Sequence, residues 1–237
     1  MVRRYEIFLL LLCLSSCSSY FFIPNYIIEG FDLCYNKDMQ NSTSFNIDGY
    51  YRLQRIKISD GLNKNKTHSP DTSFLNMMFF NDGVFLYNFE DVNFKRREID
   101  PTSNINLYFK EITNDSIQDV LFRNSFKWGL YKIINDTIKT QITNHPPKIA
   151  ATWSAWEIWF KVIDENTIIM IDIKPINTPE NSNNYIKYYQ NEAKTVDTAT
   201  FIHLSNIPSS DCWLMKEKWF WCNEKDWKNY MDSIVVK

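Results

Sequence analysis

The sequence predicts an all-β fold, an antiparallel up-and-down barrel followed by one or more short C-terminal helices. Segments that alternate apolar and polar residues recur along the chain and are rich in β-branched residues, which favours strands over helices. Short turn sequences separate these segments in pairs, as in successive hairpins: Asp82-Gly83, Asn135-Asp136 and Glu165-Asn166. With 237 residues, 44% of them hydrophobic, the chain can bury one sizeable core.

The N-terminus is typical of an export signal. Two arginines precede an apolar run, Ile7 to Leu14, which is too short to span a bilayer but suits the core of a signal peptide. The run ends in Leu14-Ser-Ser-Cys17, which resembles the lipobox of bacterial lipoproteins, where the signal is cut before a cysteine that then carries the lipids. We expect a signal peptide over residues 1–16 and lipidation of Cys17. An ordinary secretory signal with an incidental cysteine is the alternative.

Residues 17–46 form the expected lipidated N-terminal arm. Ser18 follows the cysteine where an aspartate could stand, which in lipoprotein families implies transfer to the outer membrane; whether the domain faces the periplasm or the cell surface stays open. A free linker would be polar, but Tyr20 to Ile28 and Phe31 to Tyr35 are rich in aromatic and aliphatic residues. We therefore expect part of the arm to lie against the barrel, which occupies residues 47–237.

The first barrel elements are a strand at Asp48 to Gln54 and a hairpin at Leu75 to Tyr87. Both faces of this hairpin are apolar, so it is either buried on two sides or covered by a neighbouring segment. The sequence of residues 88–125 predicts secondary structure less clearly. We expect the basic triplet at Lys95 to Arg97 to lie in a solvated loop, and a short helix at Asp115 to Phe122.

A two-residue turn at Asn135-Asp136 fixes the pairing of the next hairpin. One face then pairs Ile133 with Ile138, Tyr131 with Thr140 and Gly129 with Ile142. The other face sets Lys132 opposite Lys139, a pair tolerable only in water. The first set is therefore expected to point inward.

In the following hairpin, a two-residue turn at Glu165-Asn166 would leave one face wholly apolar, pairing Val162 with Ile169, Phe160 with Ile171 and Ile158 with Ile173. The resemblance of Tyr131 to Ile138 with Phe160 to Ile168 implies a three-residue loop instead, which shifts the pairing by one. We favour the two-residue turn because of its apolar face.

The C-terminal part begins with a late strand at Thr198 to Leu204 and continues into a segment with four of the eight tryptophans. We expect Ser209 or Ser210 to cap a short helix through Lys216, Trp219 to Trp221 to form a closing strand, and Asn223 to cap a final helix. This tryptophan-rich cap is expected to seal one end of the barrel. Three cysteines, Cys34, Cys212 and Cys222, would meet an oxidising compartment; they allow one disulfide and one free thiol, and the pairing stays open.

Short motifs along this region resemble the lipocalin-like lipoproteins of bacteria. They are Gly49-Tyr-Tyr-Arg52, Trp128-Gly-Leu-Tyr131 and the Asp/Asn-Thr-Ile return strands of the two hairpins, within a resemblance that covers roughly Asp48 to Trp221. The resemblance implies a lipocalin-like barrel that can enclose a small apolar ligand.

Composition and motifs argue against several classes of function. A net charge of −2 gives no reason to expect nucleic acid as a partner, and five glycines argue against phosphate-cradling loops. The three histidines show no metal-ligand spacing, and the sequence contains no catalytic fingerprint, so we expect neither enzyme activity nor a cofactor.

The sequence thus predicts a lipid-anchored protein of the outer membrane with two alternatives for its barrel. In the first, the inward residues line a cavity for a small hydrophobic ligand. In the second, the same residues fill the barrel, which then serves as an interaction or structural module of the cell envelope. The residues concerned are Tyr131, Ile133, Ile138, Ile142, Ile158, Phe160, Val162 and Ile171.

Overall fold

The computed structural model describes residues 23–37, 44–57, 71–87, 127–144, 153–177, 197–205, 207 and 209–235. Cys17, the signal peptide, the basic triplet and the helix expected at Asp115 to Phe122 lie outside these residues. Within the described residues, eight strands and two α-helices follow in chain order: α1 (Asn25–Ile28), β1 (Gly49–Lys57), β2 (Asp71–Phe79), β3 (Val84–Tyr87), β4 (Lys127–Ile134), β5 (Thr137–Asn144), β6 (Ala155–Asp164), β7 (Thr167–Pro175), β8 (Asp197–His203) and α2 (Glu224–Val235).

The strands form one closed barrel in which each strand pairs with its sequence neighbours and β8 pairs back with β1. Every pairing is antiparallel. The predicted all-β, up-and-down barrel with a C-terminal helix is therefore confirmed. Each described strand is therefore paired on both sides over at least part of its length.

The two ends of the barrel differ. One, here called the turn end, carries the start of β1, the end of β8 and the tight turns after β2, β4 and β6. The other, the loop end, is where the longer connections after β1, β3, β5 and β7 leave the strands. Asn135 has a φ of 58° and Gly83 a φ of 85°, the left-handed conformations that tight hairpin turns require.

The hairpin of β4 and β5 has the predicted register, with Ile133 opposite Ile138, Tyr131 opposite Thr140 and Gly129 opposite Ile142. Its inward face is also the predicted one, because Tyr131, Ile138 and Ile142 belong to the inner core.

The hairpin of β6 and β7 has the predicted two-residue turn but not the predicted register. Val162 pairs with Ile168, not Ile169, and Phe160 pairs with Met170, not Ile171; the pairing of Ile158 with Ile173 is as predicted. Two bulges cause the difference, since each leaves one residue of a strand without an opposite partner and locally increases the twist. The pairing is thus shifted by one residue between Phe160 and Val162, as a three-residue loop would shift it, but the loop itself has two residues.

Side chains pack on both faces of the barrel wall. The inner core lies inside the barrel, and a second, outer core lies between the wall and the terminal segments. The hairpin of β2 and β3 contributes to both: Phe79 and Phe85 point inward, whereas Met78 and Leu86 point into the outer core. The apolar character of both its faces is explained by this outer cover.

The N-terminal arm packs against the barrel as expected, with Ile27 fully buried. A disulfide joins Cys34 to Cys222 and so ties the arm to the C-terminal segment, while Cys212 is free and buried. The arm and the C-terminal segment also exchange backbone hydrogen bonds, from the Tyr35 N–H to the Phe220 carbonyl at 2.7 Å and from the Cys222 N–H to the Tyr35 carbonyl at 2.9 Å.

The C-terminal segment differs from the prediction in three respects. It covers outward-facing side chains of the wall rather than sealing one end, because Leu214 and Phe220 lie in the outer core. Residues Trp213–Lys216 and Lys218–Phe220 form 3₁₀-helices, where a capped helix and a closing strand were expected. Neither predicted serine caps them, since Ser210 donates to Asp82 at 2.6 Å and Ser209 accepts from a nearby backbone N–H.

The final helix α2 begins as predicted. The Asn223 Oδ1 accepts a hydrogen bond from the Lys225 N–H at 2.8 Å, the contact of an N-cap. No helix of the described residues is long and apolar enough to cross a membrane.

Candidate functional site

The barrel interior is the first candidate site, and aromatic rings occupy its turn-end half. The Phe79 ring lies 4.7 Å from that of Phe85, 5.1 Å from that of Tyr131 and 6.0 Å from that of Phe160, between ring centroids. Phe45, which precedes β1, adds a fifth ring 5.1 Å from Phe79. Edge-to-face geometry prevails at these distances, so the rings form one packed cluster. Phe45 thereby closes the turn end from inside.

Seven of the eight predicted lining residues face this interior. Five are fully buried in the inner core and two are partly buried against it: Tyr131, Ile138, Ile142, Ile158 and Phe160, then Ile133 and Val162. The eighth, Ile171, was expected inside but is 49% exposed on the outside, because it is the residue that a bulge leaves without an opposite partner. Its expected inward position is wrong.

Residues that the sequence did not single out complete the inner core. Ile168 and Met170 take the inward positions on β7, and the shifted register implied by the similarity of the two hairpins would have identified them. Phe79 and Phe85 lie on a hairpin already recognised as apolar. The position of Phe45 had no signal, because it precedes the first strand and shows no alternation of its own.

Several described side chains of the inner core border no free space. A side chain that lines an empty cavity would have surface open to a water-sized molecule. Several inner-core side chains from six different strands have none, being 0% exposed: Leu53, Met77, Phe85, Ile138, Ile142, Ile158, Phe160 and Ile168. Their neighbours therefore fill the space around them.

Three hydroxyl groups on the inward faces of the described strands already have partners. The Tyr131 hydroxyl donates to the Phe80 carbonyl at 2.8 Å, and the Thr140 hydroxyl donates to the Ile158 carbonyl at 3.0 Å. The Tyr51 hydroxyl donates to the Glu165 carbonyl at 2.9 Å, and burial raises the pKa of this tyrosine. These hydrogen bonds stabilise the barrel wall and its turns, and the three hydroxyl protons are already donated to backbone carbonyls.

A second candidate is a charged network on the outer face of β5 and β6, centred on the buried carboxylate of Glu157. It contacts the ammonium groups of Lys174 at 2.7 Å and Lys139 at 3.1 Å, and it accepts from the Trp159 indole at 2.7 Å. Burial alone would raise the pKa of Glu157, but these donors more than offset it and hold the pKa at about 2.

The same network holds the N-terminal arm. Lys139 also contacts Asp32 at 2.6 Å, and these ion pairs raise the pKa of Lys139 although burial would lower it. The amide oxygen of Gln141 accepts from the backbone N–H groups of Asp32 and Leu33 at 2.9 and 3.0 Å, while its amide nitrogen donates to Glu157 at 3.1 Å. Two partners of Glu157, Lys139 and Gln141, thus also bind the N-terminal arm.

A third candidate is an open pocket of about 450 Å³ at the turn end. It is lined by Ser44, Phe45, Asn46, Ile47, Asp48 and Glu165. Its backbone is engaged, since the Asn46 N–H donates to the Glu165 carbonyl at 2.9 Å and the Asp48 carbonyl accepts from Leu204 at 3.0 Å. The pocket offers two carboxylates, those of Asp48 and Glu165, and the Asp48 carboxylate lies 3.2 Å from the His203 Nδ1 atom.

Among the described residues, no three His, Cys, Asp or Glu side chains are grouped so that they could hold a metal ion. No known protein family, no curated protein and no solved structure matches this chain.

Proposed function

We propose that this chain is a lipid-anchored, non-enzymatic protein of the bacterial outer membrane whose barrel is a packed scaffold, an interaction or structural module of the cell envelope. The observation that supports a scaffold is the zero exposure of inner-core side chains from six strands. Ligand sites usually offer several hundred Å³ of free space, and such a space would leave its lining side chains accessible.

The proposed anchor is supported by the basic N-terminus, the short apolar run and the lipobox-like Leu14 to Cys17. The proposed anchor also agrees with the fixed position of the arm, which is docked on the barrel and disulfide-bonded. Lipids attached to such an arm would hold the whole domain close to the membrane. Several acyl chains on one cysteine bind a bilayer durably, whereas one chain binds only marginally.

Metabolic labelling with a fatty-acid analogue tests the anchor. The wild-type chain should incorporate the label and sediment with the membrane fraction. The Cys17→Ala variant should lose both properties. Cys212→Ala is the matched control, because this buried thiol should have no part in lipidation. Persistent labelling of the Cys17→Ala variant would refute the proposed lipidation site.

A second candidate function is the binding of a small hydrophobic ligand at the loop end. Among the buried residues of the inner core, the least buried lie toward this end: Leu75 and Tyr87 at 4%, Ile173 at 5% and Trp156 at 6%. A shallow apolar site there would suit the resemblance to lipocalin-like lipoproteins. Mass spectrometry of lipids that co-purify with the chain distinguishes the candidates. A stoichiometric apolar molecule, displaced in Trp156→Ala but retained in Ile163→Ala, would favour the ligand site.

A further inference from the structure

The disulfide between Cys34 and Cys222 lies at the surface of the protein, since both cysteines are exposed. A thiolate can reach an exposed disulfide directly, whereas a bond inside a core is shielded by its surroundings. Exposed disulfides are accordingly more often the labile or regulatory ones than buried disulfides are. The contacts around this bond decide what its reduction would change.

The noncovalent contacts beside the bond lie close to solvent. The N–H of Tyr35 donates to the Phe220 carbonyl at 2.7 Å, and the Tyr35 carbonyl accepts from the Cys222 N–H at 2.9 Å. Lys37, whose side chain is 48% exposed, contacts Asp226 at 2.8 Å. Contacts of this kind stabilise little on their own. The disulfide closes a loop across 188 residues and therefore contributes more to holding the arm on the C-terminal segment than these contacts do.

Helix α2 follows the disulfide closely and is attached to the C-terminal segment that precedes it. Its Trp227 indole donates to the Lys216 carbonyl at 3.1 Å, and its Tyr230 hydroxyl donates to Asp211 at 2.6 Å. Residues 224–234 are all at least partly exposed. The helix thus lies on the outside of the cover, where a change in the disulfide can reach it without disturbing a core.

Other parts of both terminal segments are held independently of the disulfide. In the arm, Ile27 is fully buried, and Gly30 is so close to Ile176 that a Cβ atom would not fit between them. In the C-terminal segment, Leu214 and Phe220 are fully buried in the outer core. Opening the disulfide would therefore leave these parts in place and affect the residues beyond them.

We propose that the disulfide between Cys34 and Cys222 is a redox latch. A dithiol reductant opens it, and residues 31–37 of the arm then separate from residues 221–235, while the barrel and the buried parts of both segments stay folded. Oxidation closes the latch again. The latch goes beyond the scaffold function and does not depend on the lipid anchor.

The exchange balances with a dithiol as the co-reactant. One thiolate of the dithiol attacks a sulfur of the disulfide, so that a mixed disulfide forms and the other cysteine leaves as a thiolate. The second thiolate of the dithiol attacks the mixed disulfide and releases the remaining cysteine. Two electrons pass to the protein, the two protons of the dithiol end on Cys34 and Cys222, and the dithiol becomes a disulfide.

Amide hydrogen exchange followed by NMR tests the latch at single hydrogen bonds. In the oxidised protein the N–H groups of Tyr35 and Cys222 should be protected, because both donate across the two segments. After reduction by dithiothreitol, both should exchange at least about 100-fold faster. The N–H of Tyr131, which donates to the Gly83 carbonyl at 2.9 Å in the barrel wall, is the control. It should stay far better protected than the Tyr35 N–H in the reduced protein.

Two variants separate the latch from other effects of the reductant. The double variant Cys34→Ser and Cys222→Ser should show fast exchange of the Tyr35 N–H without any reductant. Cys212→Ala is the matched control and should respond to dithiothreitol as the wild type does, because this buried thiol takes no part in the bond.

The reductant is identified by comparing dithiothreitol with reduced thioredoxin on the native protein. The bond should be reduced within about tenfold of its rate in urea, because it is exposed. Reduction by both reagents supports a protein dithiol as the reductant, and reduction by dithiothreitol alone supports a small thiol. A native bond that resists both reagents would overturn the latch, as would a Tyr35 N–H that stays protected after reduction. Equal loss of protection at Tyr131 and Tyr35 would also overturn it, because the disulfide would then stabilise the whole fold rather than one attachment.

Discussion

The substitution Phe160→Ala tests whether the barrel is filled. Phe160 is 0% exposed, lies opposite Ile138 and Met170 on the neighbouring strands, and its ring is 6.0 Å from that of Phe79 and 6.1 Å from that of Phe85. In a filled core, truncation removes these contacts and leaves a void that the surrounding rings cannot close. Changes of this kind cost about 3–5 kcal/mol of unfolding free energy.

The assay is urea unfolding followed by circular dichroism, with thermal unfolding as a second measurement. A loss of this size in a domain of this length lowers Tm by roughly 10 °C. The control is Ile163→Ala on the same strand, where the side chain is 50% exposed and its loss should change stability by less than about 0.5 kcal/mol. If Phe160→Ala cost no more than this control, Phe160 would border empty space and the filled barrel would be refuted.

Three further predictions concern the network and the terminal segments. Because the pKa of Glu157 is lowered to about 2 from an ordinary value of 4.5, its contribution is complete above pH 4.5 and is lost as the pH falls toward 2; the contribution is at most about 3 kcal/mol. Urea unfolding at pH 7 and pH 3 should show about 2 kcal/mol of this loss in the wild type and a smaller loss in Glu157→Gln, and equal losses would contradict the assignment. Removing the disulfide with Cys34→Ser and Cys222→Ser opens a link across 188 residues and should cost about 3–5 kcal/mol, measured against the oxidised wild type; an unchanged midpoint would mean that the link does not form. Asn223→Ala removes the N-cap of α2 and should cost about 1 kcal/mol in the same assay, whereas a change to Ser, which can also cap, should cost little.

Local pairing rules predicted the wall of the barrel well. The turn at Asn135-Asp136 fixed every pair of β4 and β5, because a two-residue turn and opposed lysines leave a single register. The same reasoning failed at Ile171, because a bulge shifts the strand pairing by one residue and has no clear signature in the sequence. The similarity between the two hairpins implied a loop longer by one residue, and with it a shifted pairing. The alternation of apolar and polar residues alone favoured the pairing without a shift.

The terminal segments were less predictable because their structure depends on contacts distant in sequence. The disulfide between Cys34 and Cys222 joins residues 188 apart, and nothing local distinguishes it from a link to Cys212. Likewise, Trp219 to Trp221 alternates like a strand, but its surroundings are the outer wall and the arm rather than a free strand edge. Tertiary packing therefore decided the conformation of these residues against their local pattern.

The most direct test of the packed barrel is the binding of a small apolar molecule. Benzene or xenon enters cavities of protein cores that are lined by apolar side chains, provided that the space exists. Titration followed by NMR of the methyl groups in the inner core should give no saturable shifts in the wild-type chain. The Phe160→Ala variant, stabilised at low temperature, should give saturable shifts at Ile138 and Met170, which line the void it creates. Saturable binding inside the wild-type barrel would contradict the packed scaffold and favour a ligand cavity.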